Sequence, residues 1–433
     1  MFQVHSTAGA VGCLVAGLFM LGLWPTVWAL VERRGRIPSH TFLDYGISYT
    51  LFTVAAAAAL GQAGPSSADA PPFLDALRAA DPRLAALAAT GGAAVAAADV
   101  LLQYGVAFLG VAVGPPAFCA VSLLCSAVAA FFLDGRRNAP ALLFPGVAAA
   151  LAAIALGVCA HAATRAARLA RAGAADAETG DAAEEGVSSS GGSPTAAAAA
   201  ASPQPPMPHD PAAPSPAVSA TAPPQPPPGG LRHRRHNPRG ADGGAPAAAP
   251  APKRAIEAAD SPHAGAALLG FAIVVPGALL NSASYVLFVV AVKDALGVLP
   301  AGAPRLDVYT AAALYAMGFG LMALLVSCWA MYAPPLGTQR SSVSGWAGDW
   351  RGRALCVLSG ALTSGGDMLQ FMGGDAAGYA AALLVSAHPL VGMAVGALAL
   401  RELRGAGWRA VTLVCAQAGA YAGSVALLAA SAA

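Results

Sequence analysis

Ten stretches of about 20 mostly apolar residues, the length of helix that crosses a bilayer, recur along this 433-residue chain. Hydrocarbon offers no partner to a backbone N–H or C=O, so each stretch must close its own hydrogen bonds as a helix. Five run near Ala8 to Val31, Phe42 to Gln62, Ala85 to Leu109, Pro116 to Leu133 and Ala141 to His161. Five more run near Ala264 to Val292, Val308 to Tyr332, Ala354 to Met372, Ala376 to Leu400 and Trp408 to Ala430. Composition agrees: 57% of residues are hydrophobic, 11% are charged and mean hydropathy is +0.60, more apolar than a soluble core requires. The first run is too long for the apolar segment of a signal peptide and lacks a basic leader, so it is read as the first span.

The fold class expected is therefore all-α, a polytopic membrane protein of ten transmembrane helices. Residues 1–161 form a first five-helix membrane repeat and 263–433 a second. Between them, 162–262 is dominated by Pro, Ala, Ser and Gly, with acidic residues clustered from Asp176 to Glu185 and a basic patch from Arg232 to Arg239. That composition predicts a disordered linker. Five spans per half is odd, so the second repeat is inverted relative to the first. Of the 24 Lys and Arg, 18 fall on one side when the linker is placed in the cytosol. The positive-inside rule then puts both termini outside.

Charge and cysteine exclude several function classes. The net charge is +2, with two Lys in the whole chain and Arg mostly between apolar runs, which argues against nucleic acid as a partner. All seven Cys lie in or at the edges of apolar runs, which suggests neither a disulfide framework nor a zinc site. No metal and no cofactor is expected, and the chain does not read as an enzyme. Ser364-Gly365-Gly366-Asp367 is superficially like the motif of an intramembrane aspartyl protease, but its first Gly is missing.

Carboxylates inside apolar runs carry the functional reading, because a charge in hydrocarbon is costly and faces a cavity or a partner. Asp99-x-x-x-Gln103-Tyr104 in the third run and Asp367-x-x-Gln370-Phe371 in the eighth repeat one signature across the two halves. In each, the Gln lies three or four residues beyond the Asp, on the same helical face. Such paired polar faces suggest a transporter with its site between repeats. Asp accepts from N–H groups while Gln both donates and accepts, which suits a neutral solute with alternating N–H and C=O groups. Tyr104 and Phe371 either cover a planar ring or pack plainly. Asp99, Asp367 and His388 are the candidates for a coupled proton. Asp44 and Asp307 open their spans and either cap helices or line a vestibule. Glu32 beside Arg33, and Arg401 beside Glu402, are gate candidates or interface anchors. Phosphorylated or nucleotide-linked sugars would need buried Lys or Arg, which these runs lack.

Longer motifs carry a resemblance. Trp24-Pro25, Glu32-Arg33-Arg34-Gly35-Arg36, His40-Thr41-Phe42-Leu43-Asp44-Tyr45, Phe132-Leu133-Asp134 and Leu143-Phe144-Pro145-Gly146 stand in the first half. Leu306-Asp307-Val308-Tyr309-Thr310, Arg340-Ser341-Ser342, Asp349-Trp350-x-Gly352-Arg353 and the run from Leu369 to Tyr379 stand in the second. In these the chain resembles the ureide permeases of the drug/metabolite transporter superfamily over all but the linker. The resemblance implies import of ureides such as allantoin, and of uracil and related oxo-heterocycles, across the plasma membrane by proton symport. A facilitator for another small polar metabolite, or a non-transporting sensor, is the alternative. Plant members often carry a Gly-rich Lys motif in the central loop; here Lys253 is the only linker lysine and no G-K-[ST] exists, which argues against nucleotide control. The stretches Gly114-Pro115-Pro116 and Leu383-Leu384-Val385-Ser386-Ala387-His388-Pro389 also depart from the family's polar pattern, so solute choice can differ.

Overall fold

The computed structural model of the chain describes residues 2–63, 71–109, 114–133, 138–187, 264–300, 305–398 and 407–431. All regular structure among the described residues is helical. In order the helices are α1 (Thr7–Arg33), α2 (Pro38–Gln62), a short α3 (Phe73–Ala79), α4 (Pro82–Leu109), α5 (Gly114–Leu133), α6 (Pro140–Val187), α7 (Ala264–Lys293) and α8 (Val308–Tyr332). A 3-10 turn (Pro335–Gly337) and the short α9 (Val343–Gly348) then lead to α10 (Arg353–Ala377). A 3-10 helix (Ala381–Ala387), α11 (Pro389–Leu398) and α12 (Trp408–Ala430) follow. Residues 1–174 with 250–433 form one compact unit, and 175–249 a second unit.

Among the described residues, eight helices are long and apolar enough to cross a membrane by length and composition. The two other expected spans differ in instructive ways. The stretch from Ala354 to Met372 lies within α10, a single 25-residue helix too rich in Ser, Thr, Gly, Asp and Gln to reach the same mean apolarity. The stretch from Ala376 to Leu400 is not one helix. Gly378 adopts φ 97°, a left-handed conformation that ends α10 at no steric cost to glycine. Seven residues of 3-10 helix follow, and α11 restarts at Pro389, whose missing N–H is harmless at a first helical position. A third difference concerns the linker. α6 does not stop at His161 but continues to Val187 through a segment rich in the strong helix formers Ala, Arg and Glu. Residues 188–263 lie outside the described residues.

The caps follow from sequence. Asp307 is the N-cap of α8, its carboxylate accepting from Tyr309 N and Thr310 N. Ser342 caps α9 through Gly345 N. Pro38 and Pro82 occupy first-turn positions of α2 and α4, where no N–H is needed.

Packing within the larger unit is organised around six helices. α4 lies against α7 and α8, α10 lies against α1 and α2, and α2 also packs on α8. α5 covers α7, while the 3-10 helix and α11 rest on α1. Large apolar side chains such as Leu51, Phe52, Leu268, Leu321, Leu325 and Trp329 remain exposed along these helices. Large apolar side chains exposed in this number suit lipid rather than water.

Small residues permit the closest approach. A Cβ on Gly92 of α4 would stand 1.7 Å from Tyr315 O of α8, and one on Gly318 of α8 would stand 1.9 Å from Ala89 O. The two backbones touch there, as glycine allows between membrane helices. Gly92→Ala and Gly318→Ala are each expected to destabilise by about 1–3 kcal/mol or more, because the helices must separate. Gly12→Ala, which meets nothing within 4 Å, should be silent, and thermal unfolding of the three detergent-purified variants provides the comparison.

Candidate functional site

One helix organises the polar interior. Tyr45 and Tyr49 are four residues apart on α2 and therefore on one face. Tyr45 donates its phenol to Asp99 Oδ2 on α4 at 3.2 Å, and Tyr49 donates to Asp367 Oδ2 on α10 at 2.8 Å. Each carboxylate thus accepts a hydrogen bond from a phenol of α2. Both aspartates line a single cavity of about 120 Å³.

The remaining wall comes from α1, α5, α7, α8 and the 3-10 helix. Gln370 lines it and donates from Nε2 toward Ala382 O at 3.5 Å, tying α10 to the 3-10 helix. Phe371 lines it with its ring stacked on Phe288 at 3.7 Å between centroids and 14° between planes. The edge of Tyr315, whose hydroxyl lies 2.5 Å from Ser284 Oγ, abuts Phe371. His388 reaches the cavity from the residue before α11, with Nε2 at 3.7 Å from Cys119 Sγ and Nδ1 buried without a hydrogen bond. Asn281 of α7 donates from Nδ2 to Ser122 Oγ of α5 at 2.7 Å, and both residues line the cavity.

Of the residues singled out from sequence, Asp99, Asp367, Gln370, Phe371 and His388 line the same space. Gln103 and Tyr104 do not. Gln103 donates toward Pro38 O at 3.4 Å, at the start of α2. The expected symmetry of two Asp/Gln pairs facing one cavity is thus carried by Asp367 with Gln370 and by Asp99 without its Gln. Residues that sequence reasoning passed over supply the balance: Tyr45, Tyr49, Asn281 and Ser122. The fourfold spacing of the two tyrosines and an Asn in the middle of an apolar run were the available signals.

A second cluster adjoins the first through aromatic rings. Trp24 and Tyr45 line the cavity, and Trp28 stacks on Tyr45 at 5.1 Å and on Phe42 at 6.1 Å. Next to Tyr45 in sequence, Asp44 sits in the second turn of α2, so it caps nothing. Its carboxylate accepts from Arg36, from Arg353 Nε at 3.1 Å and from Trp346 Nε1 at 2.9 Å. Arg36 also donates to Arg351 O. His40 donates from Nδ1 to Asp349 Oδ2 at 3.0 Å, while its Nε2 lies 2.5 Å from Ser341 Oγ. These contacts pin the segment from Ser341 to Arg353 onto the turn between α1 and α2. Burial pushes the Asp349 carboxyl up, but the His40 hydrogen bond and the Arg36 charge outweigh it and hold it below its ordinary value. Of the other gate candidates, Asp307 caps α8. The side chains of Glu32 and Arg33, and all of Arg401 and Glu402, lie outside the described residues. No group of three or more His, Cys, Asp or Glu suited to a metal occurs among the described residues.

Comparisons with known proteins place the chain in a family. The sequence profile of the family described as Ureide permease matches residues 41–199 and 250–431. Ureide permease 4 of Arabidopsis thaliana is 30% identical over 431 residues, covering 100% of this chain and 99% of the relative. Ureide permease 2 of the same plant is 31% identical with the same coverage. Probable ureide permease A3 of Vigna unguiculata is 28% identical over 376 residues, 87% of this chain and 91% of the relative. No solved structure matches the chain.

Two predictions test the ionic cluster. Arg36 and Asp44 are 1% and 5% exposed, so Asp44→Ala leaves a buried guanidinium with only the more distant Asp349 carboxylate and is expected to destabilise by about 3–5 kcal/mol. Arg78→Ala, which breaks only the exposed pair with Asp75, should leave the unfolding midpoint unchanged. The second concerns pH. Because the Asp349 carboxyl titrates lower in the folded chain, its stabilisation is present above about pH 4 and is lost as pH falls through its folded value. The melting difference between wild type and Asp349→Asn should therefore be full near neutrality and shrink in acid.

Proposed function

The chain belongs to the ureide permease family, and from that premise we propose that it is a plasma-membrane carrier importing ureides and related oxo-heterocycles, uracil among them, by proton symport. The observation that carries the reading is the single cavity bounded by Asp99 and Asp367, each held by a tyrosine of α2. Its volume of about 120 Å³ compares with the roughly 150 Å³ in which a benzene ring binds a protein interior. The space thus suits one small ring. Carboxylate, carboxamide and phenol at its wall match a solute of alternating N–H and C=O groups, and stacked Phe371 offers a flat apolar face.

Several features support a ten-span arrangement of two inverted repeats. Packing partners exchange in pairs: α4 lies against α7 and α8 as α10 lies against α1 and α2, and α5 covers α7 as the 3-10 helix and α11 rest on α1. The closest glycine contacts exchange likewise, Gly92 of α4 against Tyr315 of α8 and Gly360 of α10 against Tyr45 and Ser48 of α2. A broken ninth segment beside a central cavity is the form in which irregular backbone is tolerated at membrane depth. The charge split of 18 to 6 supports external termini and a cytosolic linker. In that orientation the Arg36–Asp44–Arg353 cluster lies on the cytosolic side of the cavity. There it acts as an inner gate, closed when the Ser341 to Arg353 segment is pinned to α2. Asp99 and Asp367 carry the coupled proton, because a carboxyl and its proton leave water together as a neutral acid at lower cost than the anion alone.

Cells lacking ureide uptake and expressing the protein at their surface are expected to accumulate labelled allantoin or uracil, each competing with the other. Asp367→Asn or Asp99→Asn should abolish accumulation against a gradient while sparing downhill exchange. Gln370→Ala should raise the apparent KM about two- to twelvefold, the effect of one lost uncharged hydrogen bond. Absence of uptake for every ureide and oxo-pyrimidine overturns the reading. Uptake indifferent to pH and membrane potential reduces it to a facilitator.

A further inference from the structure

We propose that Tyr315 of α8 is a positioning residue for transport: in the opposite-facing state its phenol leaves Ser284 and takes the Asp367 carboxyl, while Tyr45 lets go of Asp99. The inference rests on the transport and inverted-repeat reading and deepens it by naming the contact that the two states exchange.

The register between the halves comes from backbone contacts that recur in both. A Cβ on Gly92 of α4 would meet Tyr315 O and Phe319 N of α8, and one on Gly360 of α10 would meet Tyr45 O and Tyr49 N of α2. Asp99 and Asp367 each lie seven residues beyond that glycine. Just before each aspartate, Ala98 O faces Gly277 of α7 and Gly366 O faces Gly17 of α1. Six residues past each aspartate, Gly105 packs on Val274 and Gly373 on Leu14. In this register Tyr315 answers to Tyr45 and Phe319 to Tyr49. Ser284 answers to Trp24, because Gly91 meets the Ser284 carbonyl as Ser359 meets that of Trp24.

Side chains break the symmetry that the backbones keep. Tyr45 donates to Asp99 Oδ2 at 3.2 Å, whereas its counterpart Tyr315 has its hydroxyl 2.5 Å from Ser284 Oγ. Asp367 accepts instead from Tyr49, whose own counterpart, Phe319, has no hydroxyl. Tyr45, Tyr315 and both aspartates line the cavity, and Asp367 is the charged group that acts most strongly on Tyr315. Repeats related by an axis in the membrane plane can each adopt the other's conformation, which keeps the packing and turns the opening to the opposite side. In that state Asp367 stands to Tyr315 as Asp99 now stands to Tyr45, and Asp99 faces Phe319. Asp367 is then held by a phenol in both states and Asp99 in this one alone.

The exchange is inexpensive. Tyr315 trades a hydroxyl acceptor for a carboxyl group, the stronger acceptor when ionised. Ser284, left behind, can turn its own hydroxyl to the carbonyl four residues earlier in α7.

The test reads conformation without any solute. Cys356, 1% exposed in the first turn of α10 and beside Thr41, Arg36 and Asp44, is covered while the ionic cluster is closed. Its rate of labelling by a maleimide, followed by mass spectrometry of the purified full chain, therefore tracks the fraction in the opposite-facing state. Tyr45→Phe and Ser284→Ala each remove a bond made in the present state and should raise that rate about two- to twelvefold. Tyr315→Phe, which forfeits the stronger bond of the opposite state, should lower it by about twofold or more. In the Tyr315→Phe background, Ser284→Ala should bring no rise, because the two residues act through one bond. Each variant removes a single oxygen atom, and the opposite signs exclude a common loss of folding. A merely structural Tyr315–Ser284 bond predicts the reverse sign for Tyr315→Phe, since loosening the present state speeds labelling. A Tyr315→Phe rate at or above that of wild type overturns the inference and leaves the transport reading standing. Absence of ureide and oxo-pyrimidine uptake by wild type overturns the transport reading itself, an outcome independent of the labelling signs.

Discussion

Two hydrogen bonds from one helix hold the interior together. Tyr45 and Tyr49 reach from α2 to Asp99 on α4 and to Asp367 on α10, so the helix that packs on both α8 and α10 also gathers the two carboxylates. Without those phenols each buried carboxylate would lose a hydrogen bond, at a cost of about 1–3 kcal/mol. With them, polar groups from both ends of the chain converge on one space, and the rest of the arrangement follows. Aromatic rings fill the gap between that space and the Asp44 cluster, glycines let α4 and α8 meet backbone to backbone, and the outer faces are left apolar.

The ionic cluster illustrates how sequence-distant motifs become one object. Arg36, His40 and Asp44 come from the turn and first turns around α2, while Ser341, Trp346, Asp349 and Arg353 lie some 300 positions later. Each group alone reads as ordinary interfacial charge. Together they form a largely buried set in which Asp44 binds two arginines at once and Asp349 stands beside Arg36 as a second carboxylate. Breaking such a set exposes an unpaired charge, which favours a small number of discrete arrangements over gradual loosening.

Legibility in the sequence tracked physical necessity. The apolar runs were readable because hydrocarbon dictates their length, and Asp99, Asp367 and His388 because ionisable groups are rare there. Helical spacing alone misjudged Gln103: four residues past Asp99 it is rotated only about 40°, yet that displacement carries its amide to the Pro38 carbonyl rather than the cavity. Tyr45, Tyr49 and Asn281 were hidden for a different reason. Tyrosine and asparagine are unremarkable until the neighbour across the helix interface is known, and that neighbour is a tertiary fact. The break at Gly378 and Pro389 was visible as residue types, but a continuous apolar stretch outweighed them in a reading by length.

The 3-10 segment from Ala381 to Ala387 has a consequence for the shape of the wall it builds. At about 2.0 Å per residue its seven residues span roughly 14 Å, where an α-helix would span roughly 10.5 Å. At three residues per turn, side chains three apart eclipse one another. Leu383 therefore stands in register with Ser386, and Val385 with His388, the C-cap just past its end, and by these four residues the stretch and its cap touch the cavity. The wall is consequently ruled into two parallel columns, each apolar at one end and polar at the other, so a ring resting on it meets a graded surface rather than a mixed one.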